Sequence, residues 1–207
     1  MPELRYLALG DSYTIGESVP ENERWSSQLA ELVKLSPQFG GSRRGVDITI
    51  IARTGWTTNE LWEGIKAREI TPPYDLVSLL IGVNNQYRGY DIDEYREEFV
   101  FLLNKAIEYA GGDANRVVVL SIPDWGVTPF AGSRDSKKIA TEINLFNSVN
   151  REESELAGVH YVDITPISRE AVNDSSLIAS DGLHPSGKMY AEWANLVLPI
   201  ALDILNK

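Results

Sequence analysis

Two histidines occur in this chain of 207 residues, and their surroundings differ. His160 lies inside the apolar run Val159–Val162, where a structural role is expected. His184 stands in the Gly- and Pro-flanked stretch Asp181-Gly182-Leu183-His184-Pro185. Asp181 precedes it by three residues, close enough for a carboxylate to orient an imidazole and stabilise it once protonated. An imidazole held in this way is a general base. Ser12 offers the matching acid, a hydroxyl that is a poor nucleophile until a base removes its proton. Asn84 brings a side-chain amide, Gly55 a backbone N–H with no side chain in the way, and Ser12 its own N–H. Three such donors can hold the oxyanion of an acyl-transfer intermediate.

Each of these residues also has a plainer role. Ser12 could cap a helix or close a turn, and Asn84 could be loop chemistry in an Asn-Asn pair. Gly55 could ease a turn, and Asp181 could cap the turn before a helix. Their joint placement decides between the readings, and that depends on the elements between them.

Five short apolar runs recur: Leu4–Leu9, Val46–Ala52, Leu76–Ile81, Val117–Ile122 and Val159–Ile164. Rich in β-branched residues, three of them nearly uninterrupted, they read as strands buried on both faces, as in a parallel sheet. Helical stripes lie between them. Trp25, Leu29 and Leu32 form one; Phe99, Leu102, Leu103, Ala106 and Ala110 a second; Ile139, Ile143 and Phe146 a third. Trp193, Val197, Ile200 and Ile204 form the last, with Pro199 expected to kink it. This alternation predicts an α/β fold, a three-layer α/β/α sandwich on a five-stranded parallel sheet, with residues 1–207 as a single domain. In such a sheet every strand's carboxyl end opens on one edge. Ser12 follows the first run, Arg53, Thr54 and Gly55 the second, and Gly82, Asn84 and Asn85 the third. Asp181 and His184 come beyond the fifth, just before the final helix. All can meet in one crevice. Three loops there, Tyr13–Arg24, Pro123–Arg134 and Thr165–Pro185, carry Tyr13, Trp125 and Phe130. These aromatics either wall a substrate pocket or finish the core edge.

The totals narrow the function further. A hydrophobic share of 43% and a charged share of 24% describe an ordinary globular chain. The formal net charge of −11 argues against a nucleic-acid surface and against docking on anionic lipid. The absence of cysteine rules out disulfides, thiolate catalysis and cysteine-based metal sites. No run is long enough to span a membrane, so no stable membrane anchor is expected. No signal peptide is recognisable in the chain as given, which makes the cytoplasm the default compartment, although a removed leader would leave no trace.

The motifs together resemble the SGNH hydrolases of the GDSL lipase/esterase superfamily. The resemblance rests on Gly10-Asp11-Ser12, on Gly55, on Gly82-Val83-Asn84 and on Asp181-Gly182-Leu183-His184-Pro185, in the family's order and across nearly the whole chain. It implies a flavodoxin-like sandwich and a serine esterase needing no cofactor and no metal. Ser12 would be the nucleophile, His184 the base and Asp181 its orienting carboxylate, with Ser12, Gly55 and Asn84 as oxyanion donors. The substrate would be a small-molecule ester, most readily a short-chain acyl or O-acetyl ester. Longer acyl chains, as in a lysophospholipase or thioesterase, are the alternative. Two positions depart from the family pattern. Asn85 stands where Asp is usual, and Tyr13 where the Leu of the family's name would be. The oligomeric state is not legible.

Three rival readings remain at this stage. Gly182–Met189 nearly matches a phosphate-binding loop, but Met189 replaces the hydroxyl that holds Mg²⁺ and only one helix follows. Asp91-x-Asp93 begins like a calcium loop, yet Tyr95 and Arg96 occupy a ligand position and the glycine position, so an acid-rich helix start is expected. A non-catalytic flavin- or ligand-binding module on the same fold is the alternative from a different class.

Overall fold

Apolar runs without polar alternation can be buried only between two layers, and that is where these lie. The computed structural model of the protein describes residues 3–37 and 45–205. Strands β1 (Leu4–Gly10), β2 (Val46–Ala52), β3 (Leu76–Leu80), β4 (Val117–Leu120) and β5 (His160–Val162) form one sheet. Its order is β2-β1-β3-β4-β5, and every pairing is parallel. β3 and β4 are buried at every position, whereas β2, on the edge, is largely half-buried.

The helices are α1 (Ser12–Ile15), α2 (Trp25–Leu35), α3 (Thr58–Lys66), α4 (Val83–Tyr87), α5 (Ile92–Tyr109), α6 (Ser136–Ala157), α7 (Thr165–Arg169) and α8 (Gly187–Leu205). α2 packs on α8, while α3, α5 and α6 pack in a row. The expected α/β/α layering is therefore present. Trp25, Trp193, Tyr6, Tyr95 and Phe99 are its largest fully buried side chains.

Three local expectations need correction. The apolar run Val117–Ile122 leaves the ladder at Leu120, because the Asn147 side chain takes over from a strand: Ile122 N donates to its Oδ1 and its Nδ2 donates to Ile122 O. β5 likewise stops at Val162, since the Ser121 hydroxyl accepts from Ile164 N at 2.8 Å. In α2 the buried partner of Trp25 and Leu29 is Val33, with Leu32 only partly covered. Pro199, by contrast, lies on an exposed side of α8, whose range Gly187–Leu205 runs through it. A carbonyl freed there faces solvent, which lowers the cost of the missing N–H. The acid-rich start at Asp91 is a helix start: its Oδ1 accepts from the N–H groups of Asp93 and Glu94 at the head of α5.

The strand order contains one reversal. From β1 the chain moves out to β2, then returns to the other side of β1 to form β3. Crossovers then leave β1 and β3 in opposite directions, which opens a crevice at their carboxyl ends. Ser12 and Asn84 are the second residues past β1 and the fourth past β3, so both reach that crevice.

Candidate active site

Ser12 does not sit on an open loop. It is the first residue of α1, a helix of four residues that Asp11 caps through its side chain, accepting from Tyr13 N at 3.0 Å, and that Gly16 ends in the left-handed region. The turn is tight enough to keep Ser12 only 5% exposed. Asp11 is fully buried, and its Oδ2 has no hydrogen-bond partner among the described residues. Burial pushes its carboxyl up to about 7, partly offset by the backbone N–H groups of Tyr13 and of Asp11 itself.

That shift has a sign. An unfolded Asp titrates near 4, so the folded chain binds the proton more tightly. The stability contributed by Asp11 is complete below the unfolded value and is lost as pH rises through about 7. Tm is therefore expected to fall between about pH 4 and pH 7, and Asp11→Asn should flatten that slope. Equal slopes in the two proteins would refute this.

The Asp181–His184 pair is built by its own turn. Asp181 Oδ1 accepts from Leu183 N at 2.9 Å and His184 N at 3.0 Å, and Oδ2 meets His184 Nδ1 at 2.6 Å. The capping role and the imidazole-orienting role are thus compatible in one carboxylate. Burial opposes its ionisation, but hydrogen bonds from Ser18, His184 and the two backbone N–H groups more than offset this. They hold the carboxyl well below the usual range. The turn is tied down by Ala179 N to His184 O, by Phe130 N to Gly182 O and by a bridge between Ile178 and Pro185. The Tyr13 ring packs edge-on against the imidazole, 5.8 Å between centroids.

Gly55 and Asn84 are fixed to one another's segments. Asn84 Nδ2 donates to Trp56 O at 2.9 Å, which spends one amide proton and leaves the second free. Gly55 takes φ +88°, where a side chain would be strained, and its carbonyl accepts from Arg88 at 2.6 Å. Arg88 in turn pairs with Glu60, the acid of the Thr57 capping box that starts α3. Asn85 completes the stitch: its Oδ1 accepts from Thr58 N, and its Nδ2 donates to Thr58 Oγ. The Thr58 hydroxyl in turn donates to Glu98. This accounts for the departure at position 85. An Asp there would compete with Glu98 for the single hydroxyl proton, whereas Asn supplies a proton of its own.

Ser12, Gly55, Asn84 and His184 line one cavity of about 190 Å³, whose remaining wall includes Tyr13, Trp125 and Phe130. A direct Ser12–His184 hydrogen bond is not among the contacts of the described residues; the shared cavity is what joins them. Resting enzymes often hold such pairs loosely and tighten them on substrate. Sequence reasoning missed Tyr87, which also lines the cavity and lies 5.3 Å from Trp125 and 6.2 Å from Phe130 between centroids. It follows Asn84 by three residues on α4, a spacing that puts both on one helix face. Trp125 is anchored from behind, its Nε1 donating to Gln86 Oε1 at 2.8 Å. His160 begins β5, away from this cavity. A larger hollow of about 280 Å³, bounded by Arg151, Asp163 and Arg169, contains none of the site residues.

The phosphate-loop rival fares poorly against this geometry. The start of α8, where a phosphate would bind, has the Glu23 carboxylate against Gly187, 2.1 Å from where a Cβ would sit. No cluster of three metal-ligating side chains occurs among the described residues, and no described helix is long and apolar enough to cross a membrane.

The strand order, with the crevice at its switch point, defines a flavodoxin-like α/β sandwich. Residues 8–192 match the GDSL-like Lipase/Acylhydrolase family, and the chain belongs to that family of carboxylic ester hydrolases. No curated protein matches the sequence significantly. Among solved structures, a catalytic mutant of Axe2, an acetylxylan esterase from Geobacillus stearothermophilus, superposes with TM-score 0.71 at 18% identity, over 97% of this chain and 95% of that one. TesA gives 0.69 at 17% identity over 97% and 99%. A lipolytic G-D-S-L family member from Veillonella parvula gives 0.67 at 18% over 97% of each chain. At such identities these likenesses establish the fold.

Proposed function

We propose that the protein hydrolyses short-chain acyl or O-acetyl esters through Ser12, His184 and Asp181. The observation that carries this is the 2.6 Å Asp181–His184 contact opening on the same cavity as Ser12, Gly55 and Asn84. Asp181 fixes the proton on Nδ1, which leaves Nε2 as the base. Nε2 takes the Ser12 proton while Oγ attacks the ester carbonyl. The Ser12 and Gly55 N–H groups and the free Asn84 amide proton receive the oxyanion. His184 then protonates the leaving alcohol, and water repeats the sequence to release the acid. Asp181 stays ionised far into acid, so the carboxylate that orients the imidazole is kept as pH falls.

Asn84→Ala removes one donor and is expected to cost about 3 kcal/mol of transition-state stabilisation, roughly a hundredfold in kcat. KM should stay near the wild type, since the interaction forms fully only with the oxyanion. An unchanged kcat would remove Asn84 from the mechanism.

Cavity size supports the substrate class. About 190 Å³ is below the range of drug-sized pockets and holds the volume of roughly six waters. That suits an acetyl to butyryl group. The likeness to an acetylxylan esterase points the same way. One observation favours longer chains: Tyr87 and Phe130 are 48% and 40% exposed, so the aromatic wall runs out to the surface. A p-nitrophenyl ester series alongside acetylated oligosaccharides separates the two. kcat/KM peaking at two to four acyl carbons, or on the acetylated sugars, supports the proposal. A peak at eight carbons or more overturns it.

A further inference from the structure

Ser18 is the single non-glycine with positive φ among the described residues, at +65°. A left-handed backbone costs energy for any residue with a Cβ, and glycine would fit more easily. What the serine does there is visible. Its Oγ donates to Asp181 Oδ2 at 2.7 Å, the same oxygen that meets His184 Nδ1.

The other three hydrogen bonds of this carboxylate come from Leu183 and His184, within its own turn. They fix the acid to the imidazole, yet do not fix the pair to anything else. The Ser18 bond spans 163 residues to the segment that carries Ser12. That segment is itself rigid: Gly16 N and Glu17 N both donate to Ser12 O at 3.0 Å, and Glu17 accepts from the Thr54 hydroxyl. Ser18 is thus the hydrogen-bonded link, among the described residues, between the α1 segment and the 181–184 turn. A strained residue at such a place is held there by what its side chain does.

We propose that Ser18 is a positioning residue, setting the Asp181–His184 pair in register with Ser12. This rests on the reading of Asp181 and His184 as the acid–base pair. Ser18 touches neither substrate nor the reacting atoms; it acts through the carboxylate. The bond is exposed and water competes for the oxygen, so the expected effect is moderate.

Two substitutions at this position pull activity and stability in opposite directions. Ser18→Gly relieves the backbone and deletes the hydroxyl. Its Tm should equal or exceed the wild type, while kcat on p-nitrophenyl acetate falls about tenfold with KM within about twofold. Ser18→Thr keeps the hydroxyl but adds a branch where φ is positive. Its Tm should fall, while kcat stays within about threefold of the wild type. A merely structural role predicts the reverse ordering, with activity following stability. Ser18→Gly at wild-type kcat would overturn the proposal. Asp181→Asn, measured alongside, tells which layer failed. If it loses activity while Ser18→Gly does not, only the role of Ser18 is wrong. If Asp181→Asn is itself fully active, the acid–base reading falls and the proposal with it.

Discussion

Ser12→Ala is expected to lower kcat by at least about 10⁴-fold while the protein folds as before. The size follows from what remains. Without the hydroxyl there is no acyl-enzyme, and the oxyanion donors can assist only a direct attack by water. Catalysis of that kind retains about 10³–10⁴ over the uncatalysed rate in other serine hydrolases. The fold should tolerate the change, because Ala keeps the Ser12 N–H and suits the first turn of α1 better than most residues. Tm is expected within about 2 °C of the wild type. A fluorophosphonate probe should label the wild type and not the variant, which separates a lost nucleophile from a lost binding site. Turnover above about one per cent of the wild type in Ser12→Ala, free of contaminating esterase, would end the serine mechanism. So would labelling that persists.

How much of this was readable in advance depends on what signals each residue leaves. Ser12, Gly55, Asn84 and the Asp181–His184 pair follow apolar runs whose length and β-branching mark buried strands. A parallel sheet then delivers their successors to one edge whatever their separation along the chain. Tyr87 escaped because α4 has only five residues, too few to display a period, so its place beside Asn84 could not be inferred. Ser18 escaped for a different reason. A positive φ at a serine has no composition signature, and its partner lies at the far end of the sequence. The strand ends were misjudged where side chains imitate backbone, as Asn147 does for Ile122. Hydrophobicity records burial, and Ile122 is fully buried without being in a strand. Asn85 was visible as a departure, but its reason lay in the proton count around the Thr58 hydroxyl.

Gly10→Ala is expected to destabilise the fold by more than about 4 kcal/mol, a size reserved for strain or clash with nowhere to relax. The first glycine of the Gly-Asp-Ser block invites a catalytic explanation, but its geometry gives a packing one. A Cβ at Gly10 would stand 2.2 Å from Thr14 Oγ and 2.4 Å from the Leu80 carbonyl oxygen. The first contact is a side chain and can be removed. The second is backbone of β3, held in register because Gly10 pairs with Leu80 across the sheet. A double variant, Gly10→Ala with Thr14→Ala, should therefore recover only part of the loss by urea unfolding. Recovery to wild-type stability would mean that the strand backbone yields, contrary to this account. The same close approach brings the end of β1 against β3, at the reversal of strand order where Ser12 and Asn84 must face each other. Any spreading of that pair would widen the cavity between Ser12 and Asn84, the proposed nucleophile and oxyanion donor. Residual folded Gly10→Ala protein should thus lose kcat beyond what its folded fraction explains. If activity per folded molecule were unchanged, the tight β1–β3 approach would matter for folding alone.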